Sequence, residues 1–461
     1  MGSINRIRPG QRAVVMGLGV SGRAAVRYLL ASDVQVFVSD SREFTELPLS
    51  DQEYLLENDV AFEGGGHSRD FLLQGDFIVI SPGIATDLPL LVEMRGQNIP
   101  VLGELALAAP QLSEQVVAVT GTNGKTTVTA LIGELLAASG KKVFVGGNIG
   151  TPLLDYLCRE ERVDVLVLEL SSFQLESAGN FRPDIGVLLN ITPDHLDRHG
   201  SMVAYAAAKM KLFAHQEKQD KAILCSDDPM CRQIMPLLTE QKVFSFGTQS
   251  DCEAKGEGSE LIITLDGEKQ SYSLAGTQLA SHTGLLNSGA AVLAATLLGC
   301  APEEIQKTLN RFAPAAHRLQ RVTDWHGVEY YDDSKATNTG AVLSALASFA
   351  GNVILIAGGR DKGEEYSVLT QAVREKVKEL ILIGESADSI ADALRDVICA
   401  RRAGSMEEAV AMAAEVTEPG DVVLLSPACA SFDMFDNYGH RGEVFCRAVL
   451  DLKKRLGEKA A

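Results

Sequence analysis

The run Gly121-Thr122-Asn123-Gly124-Lys125-Thr126-Thr127 follows an apolar stretch at 116–119 and precedes a helical pattern at 128–138. Strand, glycine-rich turn with Lys-Thr, then helix builds a phosphate cradle. Backbone N–H groups close around the anion at the positive end of the helix dipole. Lys125 is then placed for β/γ-phosphates and the Thr126 hydroxyl for Mg²⁺. One position departs from the general phosphate loop: Val119 stands where its first glycine is usual, and Gly121 appears instead. Three residues downstream suit the same chemistry. Glu169 ends an apolar strand pattern at 163–168, where a metal-holding carboxylate is usual beside such a loop. His195, in Asp194-His195-Leu196-Asp197-Arg198-His199, follows another strand pattern at 185–189 and can take a metal or a substrate. Lys209 falls within the helical stripe Met202, Tyr205, Ala206, Leu212, Phe213. A lysine facing a core must be paired, neutral or modified, unless it snorkels to the surface.

A second glycine turn, Gly17-Leu18-Gly19-Val20-Ser21-Gly22, lies between a strand pattern at 13–16 and a helix to about 31, and Asp40 closes the next strand. This spacing fits a dinucleotide fingerprint with Asp40 on a ribose hydroxyl. The adjacent Ser41-Arg42 suits a uridine nucleotide or a phosphate equally well. In the last third, Asp332-Asp333-Ser334-Lys335-Ala336-Thr337-Asn338, Gly358-Gly359-Arg360-Asp361-Lys362-Gly363 and Ser426-Pro427-Ala428-Cys429-Ala430-Ser431-Phe432 each follow a strand pattern. Polar clusters after successive strands of a parallel sheet converge on its carboxyl edge.

The elements that must position these residues are short β-rich segments alternating with helices, an α/β pattern of mostly parallel sheets covered on both faces. Three blocks emerge: a Rossmann-like domain at 1–104, a central P-loop-type ATPase domain at 105–313 and a second Rossmann-like domain at 314–461. Within the central block, apolar runs at 261–265 and 270–274 flank Asp266-Gly267, a hairpin signal.

Composition narrows the function classes. The 461 residues exceed one ordinary core, and 46% hydrophobic with 22% charged residues argues against wholesale disorder. A formal net charge of −19 disfavours nucleic acid and anionic membranes as partners. The eight cysteines show neither C-x-x-C nor zinc spacing and read as reduced residues of a cytosolic protein. No apolar run approaches the about 18 residues that span a bilayer. Residues 1–6 lack a signal-peptide core, and Arg6 stands where a myristoylation signal wants Ser or Thr. A cytoplasmic monomer without membrane insertion is expected.

Taken together these motifs resemble the Mur ligase family over essentially the whole chain. The loop at 121–127 is shared across that family and with folylpolyglutamate synthase. Leu168-Glu169-Leu170-Ser171-Ser172-Phe173-Gln174-Leu175-Glu176, Asp333-Ser334-Lys335-Ala336-Thr337-Asn338 and Ser426-Pro427-Ala428-Cys429-Ala430-Ser431 are similar to the D-glutamate-adding branch. The resemblance implies an ATP-driven amide synthesis in peptidoglycan precursor assembly. ATP phosphorylates the carboxylate of UDP-N-acetylmuramoyl-L-alanine (UDP-MurNAc-L-Ala), and the amine of D-glutamate attacks the acyl phosphate.

By motif match, the loop 121–127 with Asn287, Arg318, Asp333 and Lys335 would hold ATP. Thr126, Glu169, His195 and Lys209, the last as a carbamate, would hold Mg²⁺, two ions in all. Ser21, Asp40, Ser41, Arg42 and Ser81 would line the UDP pocket. Asn148 and Ser171 would touch the muramoyl substrate, with His317 beside Arg318. Thr337, Lys362 and Ser431 would receive the glutamate carboxylates. The chain departs from the family at Thr283-Gly284-Leu285-Leu286-Asn287, where His-Asn-x-x-Asn is common. It departs again at Phe432 and Tyr438, which replace a leucine and a phenylalanine. The alternatives are another Mur-type or folylpolyglutamate-type ligase, or an NAD-dependent oxidoreductase built on 17–22. The second nucleotide loop weighs against the latter.

Overall fold

A computed structural model describes residues 7–249, 251–361 and 363–457, so residues 1–6 and Lys362, both used above, lie outside the described residues. Three sheets carry the architecture, each in its own stretch of chain. The first comprises β1 (Arg12–Met16), β2 (Gln35–Ser39), β3 (Ala61–Glu63), β4 (Phe77–Ile80) and β5 (Val101–Leu102) in the order β3-β2-β1-β4-β5. All its pairings are parallel. β1 has β2 on one side and β4 on the other, so the strand order reverses at β1 and opens a crevice at the carboxyl ends where ligands bind in such sheets.

The second sheet holds β6 (Gln115–Thr120), β7 (Val143–Gly147), β8 (Val165–Glu169), β9 (Ile185–Leu188), β10 (Lys221–Cys225), β11 (Lys242–Gly247), β12 (Ala254–Glu257), β13 (Glu260–Leu265) and β14 (Glu268–Ser273). Its order is β14-β13-β12-β11-β10-β9-β6-β8-β7. Register fixes the site: Val119 of β6 pairs with Glu169 of β8, and Thr120 pairs with Leu188 of β9. The turns after β6, β8 and β9 therefore leave the sheet side by side. The last two strands form the expected antiparallel hairpin. Asp266 (φ 50°) and Gly267 (φ 83°) both take the left-handed conformation of a primed two-residue turn.

The third sheet contains β15 (Gln320–Trp325), β16 (Val328–Asp332), β17 (Val353–Gly358), β18 (Val377–Ile383), β19 (Ala400–Arg402) and β20 (Val422–Leu425). In the order β15-β16-β20-β17-β18-β19, β20 lies between β16 and β17, so the three polar clusters meet at one edge. The antiparallel edge strand β15 escapes sequence reading because none of its residues is buried and it carries no apolar run. Helix His282–Leu297 starts earlier than its apolar pattern at 285, because the Ser281 hydroxyl accepts from the Gly284 amide and caps it.

One continuous apolar core runs from β1 through the second sheet to Phe312. The third sheet packs two cores of its own, one on each face. No helix among the described residues is long and apolar enough to cross a membrane.

Candidate functional site

The loop after β6 folds tightly because glycine sits where only glycine fits. Gly124 has φ +86°, and a methyl there would stand 2.6 Å from the Asn287 Oδ1. Asn287, the one asparagine kept from the His-Asn-x-x-Asn pattern, thus packs directly against the loop. The helix Lys125–Ala138 begins at once, its amino end facing the cradle. Lys125 Nζ bends back to donate to the carbonyls of Gly121 (2.9 Å) and Thr122 (2.8 Å). The amides of Thr122 and Asn123 both donate to Asn190 Oδ1, at 3.1 and 2.8 Å, so the side chain after β9 shapes the loop. The Thr122 hydroxyl also contacts Tyr205 Oη (3.2 Å).

Around Thr126 three of the expected groups converge. Its hydroxyl donates to Glu169 Oε2 (2.7 Å) and accepts from Arg318 Nη2 of the third domain (2.7 Å). Asn148 Nδ2 donates to the other oxygen of Glu169 (2.8 Å). Loss of hydration pulls both the Lys125 ammonium and the Arg318 guanidinium down from their ordinary pKa values.

Lys209 is buried, with 1% exposure, so it does not snorkel. Its Nζ donates to the same Gly121 carbonyl (2.8 Å) that Lys125 uses and lies 4.5 Å from the Tyr205 ring centre. Burial, reinforced by the nearby Lys125 charge, pushes its pKa well below the usual lysine value. The amine is therefore held toward its neutral, nucleophilic form.

His195 has φ 54°, opens the short helix Leu196–His199, and packs against Phe173 with ring centres 4.9 Å apart. The Asp194 carboxylate accepts from the His195 amide (3.0 Å). Arg198 reaches back to the first domain and donates to the carbonyls of Gly83 and Ile84 (both 2.9 Å) while lying over Phe173. The Ser171 hydroxyl is engaged in a capping box with Gln174, so its side chain orders the turn after Glu169. Among the described residues no group of three or more His, Cys, Asp or Glu side chains is arranged to hold a metal.

At the first sheet's crevice, Asp40 Oδ2 accepts from the Leu18 amide (2.6 Å), and Arg42 grips both carboxylate oxygens at 2.9 Å. Burial alone would raise the Asp40 pKa, but Arg42 and these amides hold it well below the usual carboxylate range. A carboxylate so saturated offers no open oxygen to a ribose diol. Ser81 donates to the Gly17 carbonyl (2.6 Å), Ser21 to Glu104 (3.1 Å), and Ser41 is exposed.

In the third domain, Asp333 accepts from the Leu319 amide (3.1 Å) and Ser426 (3.0 Å), and desolvation pushes its pKa up to about 7. His317 Nδ1 lies 2.6 Å from Asp332. Lys335 Nζ sits 3.7 Å from the Tyr438 ring centre. Thr337 is half-buried and Ser431 buried, whereas Phe432 stays 64% exposed at the rim.

Sequence reading missed Arg441. It is fully buried and donates to the carbonyls of Ser334 (2.8 Å), Cys429 (3.1 Å) and Ala430 (3.2 Å), joining two site loops. The signal was present: Arg441, Phe445, Ala448, Val449 and Leu452 form one buried helical stripe, like the one that exposed Lys209.

Comparisons with known proteins agree along the whole chain. Family models described as Mur ligase MurD-like N-terminal domain, Mur ligase middle domain and Mur ligase glutamate ligase domain match residues 11–103, 119–295 and 317–429. A UDP-N-acetylmuramoylalanine--D-glutamate ligase of Desulfotalea psychrophila is 51% identical, over 95% of this chain and 96% of its own length. One from Geotalea uraniireducens is 41% identical over 97% and 99%. Among solved structures, a pseudomurein peptide ligase type C from Methanothermus fervidus aligns with TM-score 0.59 at 19% identity, covering 96% of this chain and 99% of that one. The UDP-N-acetylmuramate-alanine ligase of Thermotoga maritima aligns with TM-score 0.56 at 18% identity, over 96% and 99%. At these identities the two structures establish a shared fold.

Proposed function

The chain belongs to the Mur ligase family, and we propose that it joins D-glutamate to UDP-MurNAc-L-Ala at the expense of ATP. The observation that carries this reading is the Thr126 hydroxyl, held at once by Glu169 of the second domain and Arg318 of the third. A phosphate loop whose key hydroxyl is reached from two domains suits a phosphoryl transfer completed only when the domains close.

The residues divide the work by chemistry. Lys125, freed from its loop carbonyls, and Arg318 supply positive charge to the γ-phosphoryl group as it moves to the alanyl carboxylate. The glutamate amine then attacks the acyl carbon, the acyl–phosphate bond breaks, and phosphate leaves. No protein nucleophile is required. Arg42 and the glycine turn at 17–22 suit the UDP diphosphate, and Lys335, Thr337 and Ser431 suit the glutamate carboxylates. Lys362 belongs with them by motif. We take residues 1–104, 105–313 and 314–461 as the UDP-substrate, ATP and amino-acid domains.

The residues present fit Mg²⁺: a hydroxyl and a carboxylate in contact are hard oxygen donors, with His195 on the neighbouring turn. The near-neutral amine of Lys209 can add to CO₂ with loss of a proton, and its carbamate would give a further anionic oxygen. The ion supplies charge neutralisation at the phosphates. Two ions and a cytoplasmic, monomeric enzyme complete the proposal.

The test is phosphate release from ATP with UDP-MurNAc-L-Ala and either enantiomer of glutamate. We expect release that needs both substrates and prefers the D form. Release indifferent to either substrate would overturn the reading, and NAD binding that persists in Lys125→Ala would favour the oxidoreductase instead.

A further inference from the structure

Two residues of the third domain, Asn338 and Gly340, meet the second domain beside the phosphate loop. Asn338 is buried and caps the helix Thr339–Ala347, its Oδ1 accepting from the Ala341 amide (2.7 Å). That leaves its amide donor free to cross the junction, where Nδ2 donates to Asp194 Oδ2 (3.1 Å). In return Asn123 Nδ2, from the phosphate loop, donates to Asn338 Oδ1 (3.4 Å). Two residues on, Gly340 lies flat against Thr192. A methyl at 340 would overlap Thr192 Oγ1 and stand 2.9 Å from its Cβ. Gly340 is not among the residues with positive φ, so its backbone conformation does not demand glycine; the close approach does. Thr192 Oγ1 is itself buried without a hydrogen-bond partner, so no hydrogen bond holds it against the Gly340 backbone.

Both receiving residues lead inward. Thr192 exchanges two hydrogen bonds with the Thr122 hydroxyl, through its amide (3.1 Å) and its carbonyl (3.2 Å), so it braces the phosphate loop. Asp194 accepts from the His195 amide and holds that residue in a left-handed conformation that a non-glycine residue rarely keeps without support.

We propose that Asn338 and Gly340 form a docking latch: seating them on Asp194, Asn123 and Thr192 orients the His195 turn and steadies the phosphate loop. Both are positioning residues, and the latch rests on the ligase reading above. Beside Arg318 at Thr126, the latch is a second point at which the third domain reaches the phosphate loop.

Gly340→Ala tests this directly. The nearest atoms an added methyl meets all belong to the second domain, so the clash lies across the junction and the variant should melt close to the parent protein. We expect kcat to fall about 100-fold, the scale of an ångström-sized misplacement, with the affinity for UDP-MurNAc-L-Ala by calorimetry unchanged. Adding Thr192→Ala should recover part of the loss by making room for the methyl. Asn338→Ser keeps the cap but lacks the arm, and should lower kcat without altering the melting temperature. In small-angle scattering with ADP, Gly340→Ala should show a larger radius of gyration than the parent. Parent-like turnover in Gly340→Ala, a loss that Thr192→Ala leaves untouched, or equal radii would each overturn the latch. A parent protein that forms no amide product strikes the ligase reading instead, and the scattering comparison still decides the latch.

Discussion

The two domain junctions of this molecule are built from opposite materials. Between the first and second domains the apolar core is continuous, and the helix Glu104–Ala108, with Leu105 and Leu107 buried, is packed into it. Between the second and third domains the cores are separate, and the junction is made of polar pairs, Arg318 with Thr126, Asn338 with Asp194 and Thr283 with Ser344, beside the close approach of Gly340 to Thr192. An apolar seam loses free energy at every square ångström it opens, whereas polar pairs exchange readily with water. The molecule therefore has one fixed joint and one working joint, and the phosphate loop lies beside the working one.

Four substitutions can break or sharpen this contrast. The largest effect is expected in the fixed pair, at the site itself. Lys209→Ala should lose about 1000-fold or more in turnover, the upper range for removing one preorganised charge-stabilising group, and added acetate should restore part of it. Full activity in the mutant would remove Lys209 from the chemistry. At the working joint, Arg318→Ala should cost about 100-fold in kcat and leave the melting temperature near that of the parent. A large fall in stability would show this joint to be structural after all. The fixed joint should answer the other way. Leu105→Ala should destabilise by about 3 kcal/mol, read by denaturant unfolding, with the first two domains losing structure together; independent transitions would refute the shared core.

The smallest effect is a slope. The folded-state pKa of Asp333 is raised to about 7, above its ordinary value, so the folded state holds a proton that the unfolded state has released. Its protonated form is favoured by folding, and stability should fall as pH rises from about 4 toward 7. Asp333→Asn, compared by thermal melting across that range, should show a flatter dependence; an unchanged slope would assign it elsewhere.

Much of this was legible because the signals are periodic or local. The apolar runs before Gly121 and Glu169 announce parallel strands, and strand register does the rest by setting Val119 opposite Glu169. Lys209 betrays itself as a charge in an apolar stripe. Arg441 does so too, but a helix rich in charged residues hides it. Asn190 and Asn338 could not be told from ordinary turn residues, because an amide after a strand carries no periodicity. Their roles depend on which turns the sheet order brings together. The Thr283-Gly284 departure is clearer in three dimensions: Thr283 bonds Ser344 across the working joint, while Asn287 faces the loop at Gly124.

Arg198 carries one further consequence. Its guanidinium ties the His195 turn to the backbone of Gly83 and Ile84, in the first domain. The span from the nucleotide crevice to the phosphate loop is thus a gauge of set length. Because the first two domains also share one apolar core, opening the working joint leaves that length unchanged.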